Sequence, residues 1–371
     1  MAAWFLAGML ALQAAPALSP EAAARIAPVE AAIRSAQQKQ ASLPSPSGDA
    51  ALKTPAAAQT SANSPPASGT TDVQMQFYIP PIDQRHPLTI ERVGGLMLFE
   101  AEIGGRRAWG LFDDGFTRTV IDTGFAQSIG LDDDPRGARS KFGDLTTLGG
   151  KLPLKFVNSV EIKIPGQFSL RAAPQLSTDL SRLTPILGRP ISLIVGKDLF
   201  DQFLFAFSVE KRSFQMGQSG SFRAPPQAIE LNLKNDPPQI DVVINGHAAT
   251  VTVDLGDNNF ISLGDGAWSR LGLDQLAVTY NTQTAPDGTI SPSRTAIVEK
   301  LSVGPLLFSQ MPVTRTTTLP SQGDGRIGMG FFAGFNFVID QKAHKIWLFH
   351  LSKPGDEPAQ GDKDRKAGPK N

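Results

Sequence analysis

Twice in this sequence an apolar run leads directly into an aspartate that is followed two positions later by glycine. The first copy is Leu111-Phe112-Asp113-Asp114-Gly115-Phe116-Thr117 and the second is Thr252-Val253-Asp254-Leu255-Gly256-Asp257. The glycine lets the backbone reverse where a Cβ atom would clash. Because an unpaired carboxylate is costly to bury at the end of a strand, the repeated pattern indicates acids that are presented for chemistry.

The surroundings of the two aspartates repeat as well. Gly105 precedes Asp113 by eight residues, and Gly246 precedes Asp254 by the same interval. Each copy continues through an apolar segment and a predicted one-turn helix, and later through an apolar element with glycine, alternating phenylalanines and a closing strand. The matching segments are Gly130-Leu131 with Gly272-Leu273, Leu193-Ile194-Val195-Gly196 with Arg326-Ile327-Gly328, 203–207 with 335–339, and 213–216 with 345–349. The internal repeat predicts two homologous β-rich lobes.

The composition favours an all-β fold. After about residue 80, short runs of Val, Ile, Phe and Thr alternate with Gly, Pro, Asn and Asp, which is typical of strands and turns. The 371 residues carry no net charge and no basic stripe, so we expect no nucleic-acid partner. The absence of cysteine excludes disulfides, thiol catalysis and Cys-based zinc sites. The histidines show no metal-ligand spacing, so we expect no metal; they are His86, His247, His344 and His350.

The two ends differ in composition from the middle. Residues 1–19 combine a short apolar run with Ala15-Pro16-Ala17 and look like a secretory signal without a basic n-region, the alternative being an apolar helix. Residues 20–75 are predicted to be a short helix and an Ala/Ser/Pro-rich disordered tether, and 353–371 a disordered charged tail. We expect an exported protein, periplasmic or secreted, with no spanning segment in the mature chain and with lobes at 76–217 and 226–350.

In the order of these elements the chain resembles the pepsin/retropepsin superfamily of aspartic peptidases, and more closely the bacterial tandem retropepsin-like proteins. The resemblance covers about residues 90–350. It implies two homologous retropepsin-like (acid protease) β-barrel lobes, related by a pseudo-two-fold axis, with a cleft between them. It also implies a monomer without a cofactor that acts on a peptide or protein. Each lobe of such a protein supplies one aspartate, which here means Asp113 and Asp254 as the catalytic pair.

The chemistry of such a pair requires two acids. Two carboxyl groups about 3 Å apart cannot both ionise, so they share one proton and titrate as a unit. The ionised partner takes a proton from water, the protonated partner donates one to the scissile carbonyl, and the roles exchange as the intermediate collapses.

A second candidate for the first aspartate is Asp122, since Asp122-Thr123-Gly124 is the literal tripeptide of this superfamily. It lies 17 residues after Gly105 and only eight before Gly130, and both intervals disagree with the second copy. The spacing therefore favours Asp113.

The residues around the two aspartates depart from the superfamily pattern. Such proteins place Thr or Ser after the aspartate, and its hydroxyl locks the two loops together. Here those positions hold Asp114 and Leu255. Leucine cannot make that hydrogen bond. Asp114 adds a third acid, which raises the pKa values of the neighbouring acids unless its side chain turns outward. The small residue after the glycine is replaced by Phe116 and Asp257.

Other loop residues are expected to support the aspartates. These are the two glycines, Gly115 and Gly256, together with the Thr117 hydroxyl in the first loop and Asn258 at the matching place in the second.

Two predicted hairpins are candidates for flaps that hold an extended substrate over the cleft, the alternative being ordinary surface turns. Their turn residues are Gly149, Gly150, Asp287 and Gly288.

The sequence thus favours an aspartic-type endopeptidase that activates water between Asp113 and Asp254. The alternative is a catalytically degenerate retropepsin-like module that binds a peptide or an envelope component. The complete-looking lobes favour the enzyme, while the replacements at Asp114 and Leu255 favour the binding module.

Overall fold

The computed structural model describes residues 74–80, 85–134, 145–147, 150–284, 290–316 and 323–351. The signal, most of the tether and the charged tail that the sequence predicts lie outside these ranges. Strands dominate the described part and the helices are short, which confirms the all-β expectation. The strands are β1 Gln74–Tyr78, β2 Leu88–Val93, β3 Leu96–Ile103, β4 Arg106–Phe112, β5 Val120–Asp122, β6 Leu145–Thr147, β7 Gly150–Leu152, β8 Lys155–Val157, β9 Val160–Ile164, β10 Phe168–Ala173, β11 Gln175–Thr178, β12 Leu193–Val195, β13 Phe203–Ser208, β14 Ser213–Gln218, β15 Ile229–Asn232, β16 Gln239–Ile244, β17 His247–Val253, β18 Ile261–Leu263, β19 Val278–Thr284, β20 Ile290–Val303, β21 Leu306–Arg315, β22 Gly325–Ile327, β23 Phe335–Asp340 and β24 Lys345–His350. The helices are α1 Thr123–Ser128, α2 Thr184–Leu187, α3 Lys197–Phe200, α4 Asp265–Arg270 and α5 Met329–Phe332, with 3₁₀ turns at Ser181–Leu183 and Leu273–Gln275.

A run of six strands joins the first half of the described chain, 74–218, to the second half, 229–351. Its order is β15-β24-β23-β13-β14-β2, and the central pair β13–β23 is antiparallel with Phe207 opposite Phe337. Their rings lie 4.8 Å apart, and both side chains are fully buried. All six residues of β23 are buried, as expected for a central strand that is covered on both faces. The two halves therefore share one sheet and one core.

In the second half, six strands close into a barrel. The order β16-β17-β22-β18-β21-β20 returns to its start because β16 also pairs with β20. Within it, β22 runs parallel to β17 and antiparallel to β18, and β18 runs parallel to β21. The short strand β22 lies between β17 and β18, and its Ile327 is opposite Val253, the residue before Asp254.

The first half contains the same sequence of pairings. There β12 runs parallel to β4 and antiparallel to β5, and β5 runs parallel to β11. The short helices α1 and α4 follow β5 and β18 respectively. They are succeeded by Gly130 and Gly272, whose φ angles of +76° and +70° are left-handed and favour glycine.

Two boundaries differ slightly from the sequence-based expectation. β1 begins at Gln74, inside the segment predicted as tether, because residues 74–78 pair with β10. β14 extends to Gln218, and the segment after it is fixed by the fully buried carboxylate of Asp340, which accepts from the Ser219 hydroxyl and the Gly220 N–H, each at 2.7 Å. The connection between the halves is therefore tied to β23.

Candidate active site

Asp113 and Asp254 follow β4 and β17 and are held by matching backbone contacts. The N–H of Asp113 donates to the carbonyl of Val195, the last residue of β12, at 3.1 Å. The N–H of Asp254 donates to the carbonyl of Ile327, the last residue of β22, also at 3.1 Å. In each half, the parallel strand pair is thus extended by one hydrogen bond into the following loop. This bond fixes the backbone position of the aspartate.

Each carboxylate also receives the glycine N–H of its own turn. Gly115 donates to Oδ1 of Asp113 at 3.1 Å, and Gly256 donates to Oδ1 of Asp254 at 3.0 Å. These bonds orient both carboxyl groups in the same way relative to their turns. The second oxygen of each group is left for a further partner.

The two loops meet, and each glycine makes room for the acid of the other loop. A Cβ atom on Gly256 would lie 2.2 Å from Cγ of Asp113, and one on Gly115 would lie 2.8 Å from Oδ1 of Asp254. Real Cβ contacts do not reach such distances, so only glycine is compatible with this approach. The structure therefore brings together the four residues that the sequence placed at the centre of the site, namely Asp113, Gly115, Asp254 and Gly256.

Burial is the largest cause of the raised pKa values of both acids. Each aspartate is only 6% exposed. Burial is the largest cause of the raised pKa of Asp113, which stands well above its ordinary value, and the charges of Asp254 and Asp114 raise it further. Burial also raises the pKa of Asp254, but the positive charge of Arg326 opposes that rise. Burial thus favours the protonated form of both acids, and the cation beside Asp254 opposes this effect there.

Asp114 does not turn outward. It is 6% exposed, its Oδ1 accepts from the N–H of Leu255 at 2.7 Å, and its Oδ2 accepts from Nε2 of Gln341 at 2.6 Å. Burial, followed by the charge of Asp254, raises the pKa of Asp114 to about 8. Asp114 therefore links the two loops with a carboxyl oxygen at the position where the resemblance led us to expect a hydroxyl.

The other unusual loop residues are also buried. Leu255 is fully buried, and Phe116, at 5% exposure, belongs to the apolar cluster of the first half. Asp257 is occupied within its own loop, where it accepts from the N–H and Nδ2 of Asn259 at 2.9 and 2.7 Å and from the Ser262 hydroxyl at 2.8 Å.

The two remaining support candidates lie at the surface. Thr117 is exposed. Asn258 is exposed too, but its Nδ2 donates to the carbonyl of Gly94, in the β2–β3 turn of the other half, at 3.2 Å. Asn258 therefore joins the halves beside the site, whereas Thr117 makes no contact of this kind in the described part of the chain.

Arg326 is a site residue that the sequence analysis missed. It lies in β22, is 8% exposed, and places Nη1 3.2 Å from Oδ2 of Asp254. The matched element of the first half has Ile194 at the corresponding strand position. A charged residue at a position that is apolar in the other copy was therefore the sequence signal that could have identified Arg326.

Asp122, the aspartate of the literal tripeptide, caps a helix. Its Oδ2 accepts from the N–H of Phe125 at 2.7 Å as the N-cap of α1, and its Oδ1 accepts from the N–H of Leu180 at 2.8 Å. Both oxygens are thus used by backbone N–H groups of the first half, which is a structural role for a carboxylate.

A cavity of about 340 Å³ lies beside Asp122, and its lining does not include Asp113 or Asp254. It is lined by Arg107, Ala108, Trp109, Asp122, Gly124, Phe125, Ser128, Pro190 and Ser192. The two acids that face each other define a more specific chemical site than this cavity does, because the cavity contributes a single carboxylate whose oxygens already have partners.

Both predicted hairpins form, although their tips lie outside the described residues. β6 pairs with β7, which begins at Gly150, and β19 pairs with β20. Gly149, Asp287 and Gly288 fall in the undescribed connections.

None of the helices in the described ranges combines the length and the apolar character that crossing a membrane requires. No protein-family model matches the sequence, and no curated protein matches it. Among solved structures, the chain is similar to a retropepsin-like aspartic protease from Rickettsia conorii, with 20% identity, 33% of this chain and 90% of that chain covered, and a TM-score of 0.26. A TM-score this low does not establish a shared fold.

Proposed function

We propose that this protein is an aspartic-type endopeptidase that hydrolyses peptide bonds with water activated between Asp113 and Asp254. The observation that carries the proposal is the reciprocal fit of the two loops, in which the glycine of each Asp-x-Gly turn is packed against the carboxyl group of the other. Two buried acids of raised pKa in direct proximity are costly for folding. Such pairs are typical of sites that share one proton for acid–base chemistry.

The fold proposed for this function is a pair of homologous retropepsin-like lobes, 76–217 and 226–350, related by a pseudo-two-fold axis. It is supported by the matching strand pairings around β12 and β22 and by the symmetric order of the six strands that join the halves. Peptide or protein substrate would bind in extended form between the aspartates and the hairpins β6–β7 and β19–β20.

The reaction follows from the protonation of the pair. The carboxylate removes a proton from water as the water oxygen bonds to the scissile carbonyl carbon, and the carboxylic acid protonates the carbonyl oxygen. Because burial raises the pKa of Asp113, its protonated form persists above the pH at which an exposed aspartate ionises. We therefore expect activity in the acidic range that extends toward neutral pH.

The test is cleavage of a peptide library by the full chain from about pH 3 to 7, with products read by mass spectrometry. Asp113→Asn and Asp254→Asn variants should each lose cleavage while keeping the fold. Asp122→Asn is the matched control, because asparagine also caps a helix, and it should retain cleavage. Full activity of an Asp113→Asn or Asp254→Asn variant toward a substrate of the wild type would refute the proposal.

A binding module without catalysis is the second candidate function. It is favoured by the buried Leu255, which leaves the second loop without a hydroxyl partner, and by the low exposure of the two acids. A folded chain that retains library peptides at every pH but cleaves none would support this candidate over the peptidase.

We also propose that the protein is exported, to the periplasm or the medium, and acts as a monomer. The signal-like composition of residues 1–19 supports export, which cell fractionation of the full-length protein tests. The presence of both Asp-x-Gly loops in one chain supports a monomer, which sedimentation of the purified protein tests.

A further inference from the structure

Arg326 occupies the middle of β22, a strand buried between β17 and β18. Its backbone is paired with Thr252 on one side and Ser262 on the other. The corresponding position of β12 holds Ile194, which is fully buried. A guanidinium in such a place is costly unless a partner compensates its charge.

The partner of Arg326 is Asp254. Nη1 lies 3.2 Å from Oδ2, and the two side chains are each 9% exposed. Since Oδ1 accepts from the Gly256 N–H, both oxygens of Asp254 face positively polarised groups. Asp113 differs, because among the described residues no ion pair joins it to a lysine, arginine or histidine.

The charged groups around the pair reinforce this difference. Asp254 is faced by Arg326 from β22, by Asp257 from its own loop and by Asp113 and Asp114 from the other loop, and of Arg326 and Asp257 the arginine has the larger effect on its pKa. Asp113 is faced by Asp254 across the site, by Asp114 from its own loop and, more weakly, by Arg326. Arginine side chains stay charged at every pH at which proteins fold, so the cation beside Asp254 is present over the whole pH range of an assay.

We propose that Arg326 is a positioning residue that holds Asp254 as the carboxylate and leaves the shared proton on Asp113. The inference rests on the proposed peptidase function. It assigns a fixed starting role to each acid, which the repeated loops alone do not.

With these roles, each acid returns to its starting protonation state at the end of the reaction. Asp254 takes a proton from water while the water oxygen bonds to the carbonyl carbon, and the carbonyl π pair moves to the oxygen, which receives the proton of Asp113. Asp254 then protonates the amide nitrogen, and the C–N bond breaks. A hydroxyl proton of the intermediate returns to Asp113, which restores the starting state with an acid and an amine as products.

The test compares Arg326→Gln, Arg326→Met and Arg326→Lys with wild type in the pH profile of kcat/KM. Arg326→Gln removes the charge but keeps a side-chain donor, and Arg326→Met supplies a neutral chain of similar length should the first variant fold poorly. Because an opposite charge within about 4–6 Å lowers a carboxyl pKa by about 1–3 units, the acid limb of the neutral variants should move to higher pH by about one unit or more. The lysine variant should restore much of that shift.

The matched control is Arg315→Met, which removes a surface ion pair of 2.7 Å with Asp265 in the same half. Its acid limb should coincide with that of wild type. An acid limb in a folded neutral Arg326 variant that also coincides with wild type would overturn the inference.

A second measurement does not depend on cleavage. In an Asp113→Asn background, where coupling between the two acids is removed, carboxyl ¹³C NMR follows the titration of Asp254 with and without the additional substitution Arg326→Gln. The midpoint should rise when the arginine is replaced, and an unchanged midpoint would contradict the inference. A folded wild type that cleaves nothing would instead refute the peptidase proposal, so the two failures are distinguishable.

Discussion

The backbone N–H of Leu255 donates to the side-chain carboxyl of Asp114 at 2.7 Å, and this bond connects the two Asp-x-Gly loops directly. A carboxyl group can link the loops as a hydroxyl would, but it also adds a titratable group beside the pair. The protonation state of this link therefore changes with pH, whereas that of a threonine hydroxyl would not.

The stability of the protein should depend on the protonation of Asp114. Its pKa is about 8 in the folded chain, against an ordinary value of 3.8, so the folded state binds an additional proton between these values. Stability is then greatest below about pH 4 with respect to this group and falls as pH rises toward about 8, by up to about 1.4 kcal/mol per pH unit. Asp114→Asn keeps an oxygen for the Leu255 N–H and should flatten the decline of the unfolding free energy between pH 5 and 7, measured by urea denaturation.

Asp265→Asn is the control for that experiment. Asp265 pairs with Arg315, which lowers its pKa, so its contribution is lost only as pH falls into the acidic range. The slope between pH 5 and 7 should be the same as in wild type. An Asp114→Asn slope equal to that of wild type would show that Asp114 is not protonated on folding.

Gly256→Ala should abolish the site. The new Cβ would lie 2.2 Å from Cγ of Asp113, so one loop must move and the two carboxyl groups must separate. Misplacement of reacting groups by about 1 Å can cost about 100-fold in rate, so we expect at least that loss of kcat/KM, together with a lower melting temperature.

Gly266→Ala is the matched control for the glycine prediction. Gly266 lies in α4, and a Cβ there would meet nothing within 4 Å. Alanine is favoured over glycine in a helix by up to about 1 kcal/mol, so this variant should be as active as wild type and slightly more stable. Full activity of Gly256→Ala would contradict the reciprocal packing of the loops.

Asp122→Ala should reduce stability without removing activity. It leaves the N–H groups of Phe125 and Leu180 without their carboxylate acceptor, which should cost about 1–3 kcal/mol. Cleavage per folded molecule, assayed well below the melting temperature, should be unchanged. Loss of cleavage in a folded Asp122→Ala protein would identify Asp122 as part of the chemistry.

Phe337→Ala should destabilise both halves together. Phe337 packs against Phe207 of the other half at 4.8 Å and against Phe332 at 5.0 Å between ring centroids. Removal of a buried phenylalanine side chain typically costs about 3–5 kcal/mol. Hydrogen exchange should show reduced protection in β4 as well as β17, whereas Val243→Ala, at an exposed position of β16, should change neither. A loss of protection confined to β17 would mean that the halves unfold separately.

Local pattern and spacing were sufficient to find the two loops. The alternation of apolar residues predicted the strands. The equal sequence intervals from Gly105 to Asp113 and from Gly246 to Asp254 favoured Asp113 over Asp122. The structure then places Asp113 and Asp254 together and gives Asp122 a capping role. The intervals match because the strand pairing around β12 and β22 is the same in both halves.

Contacts between distant segments could not be predicted in this way. Gln341 lies 227 positions from Asp114, and nothing in its neighbourhood marks it as a partner. Arg326 lies in a segment that matches the first half in its apolar residues and its glycine. That match does not depend on the charge of Arg326, so it did not predict a role for the guanidinium. The choice of partner for a buried charge depends on which strands become neighbours, and only the assembled sheet shows that.

The six strands that join the halves have a consequence for any attempt to divide the chain. Cutting between β14 and β15 would uncover β13 on one fragment and β23 on the other, and each is rich in phenylalanine and lacks a protective charge along most of its length. Bare hydrophobic edges of this kind recruit other strands and lead to aggregation. Each fragment would also carry a single acid with no counterpart, so function would return only through complementation, when the two pieces rebuild the shared sheet.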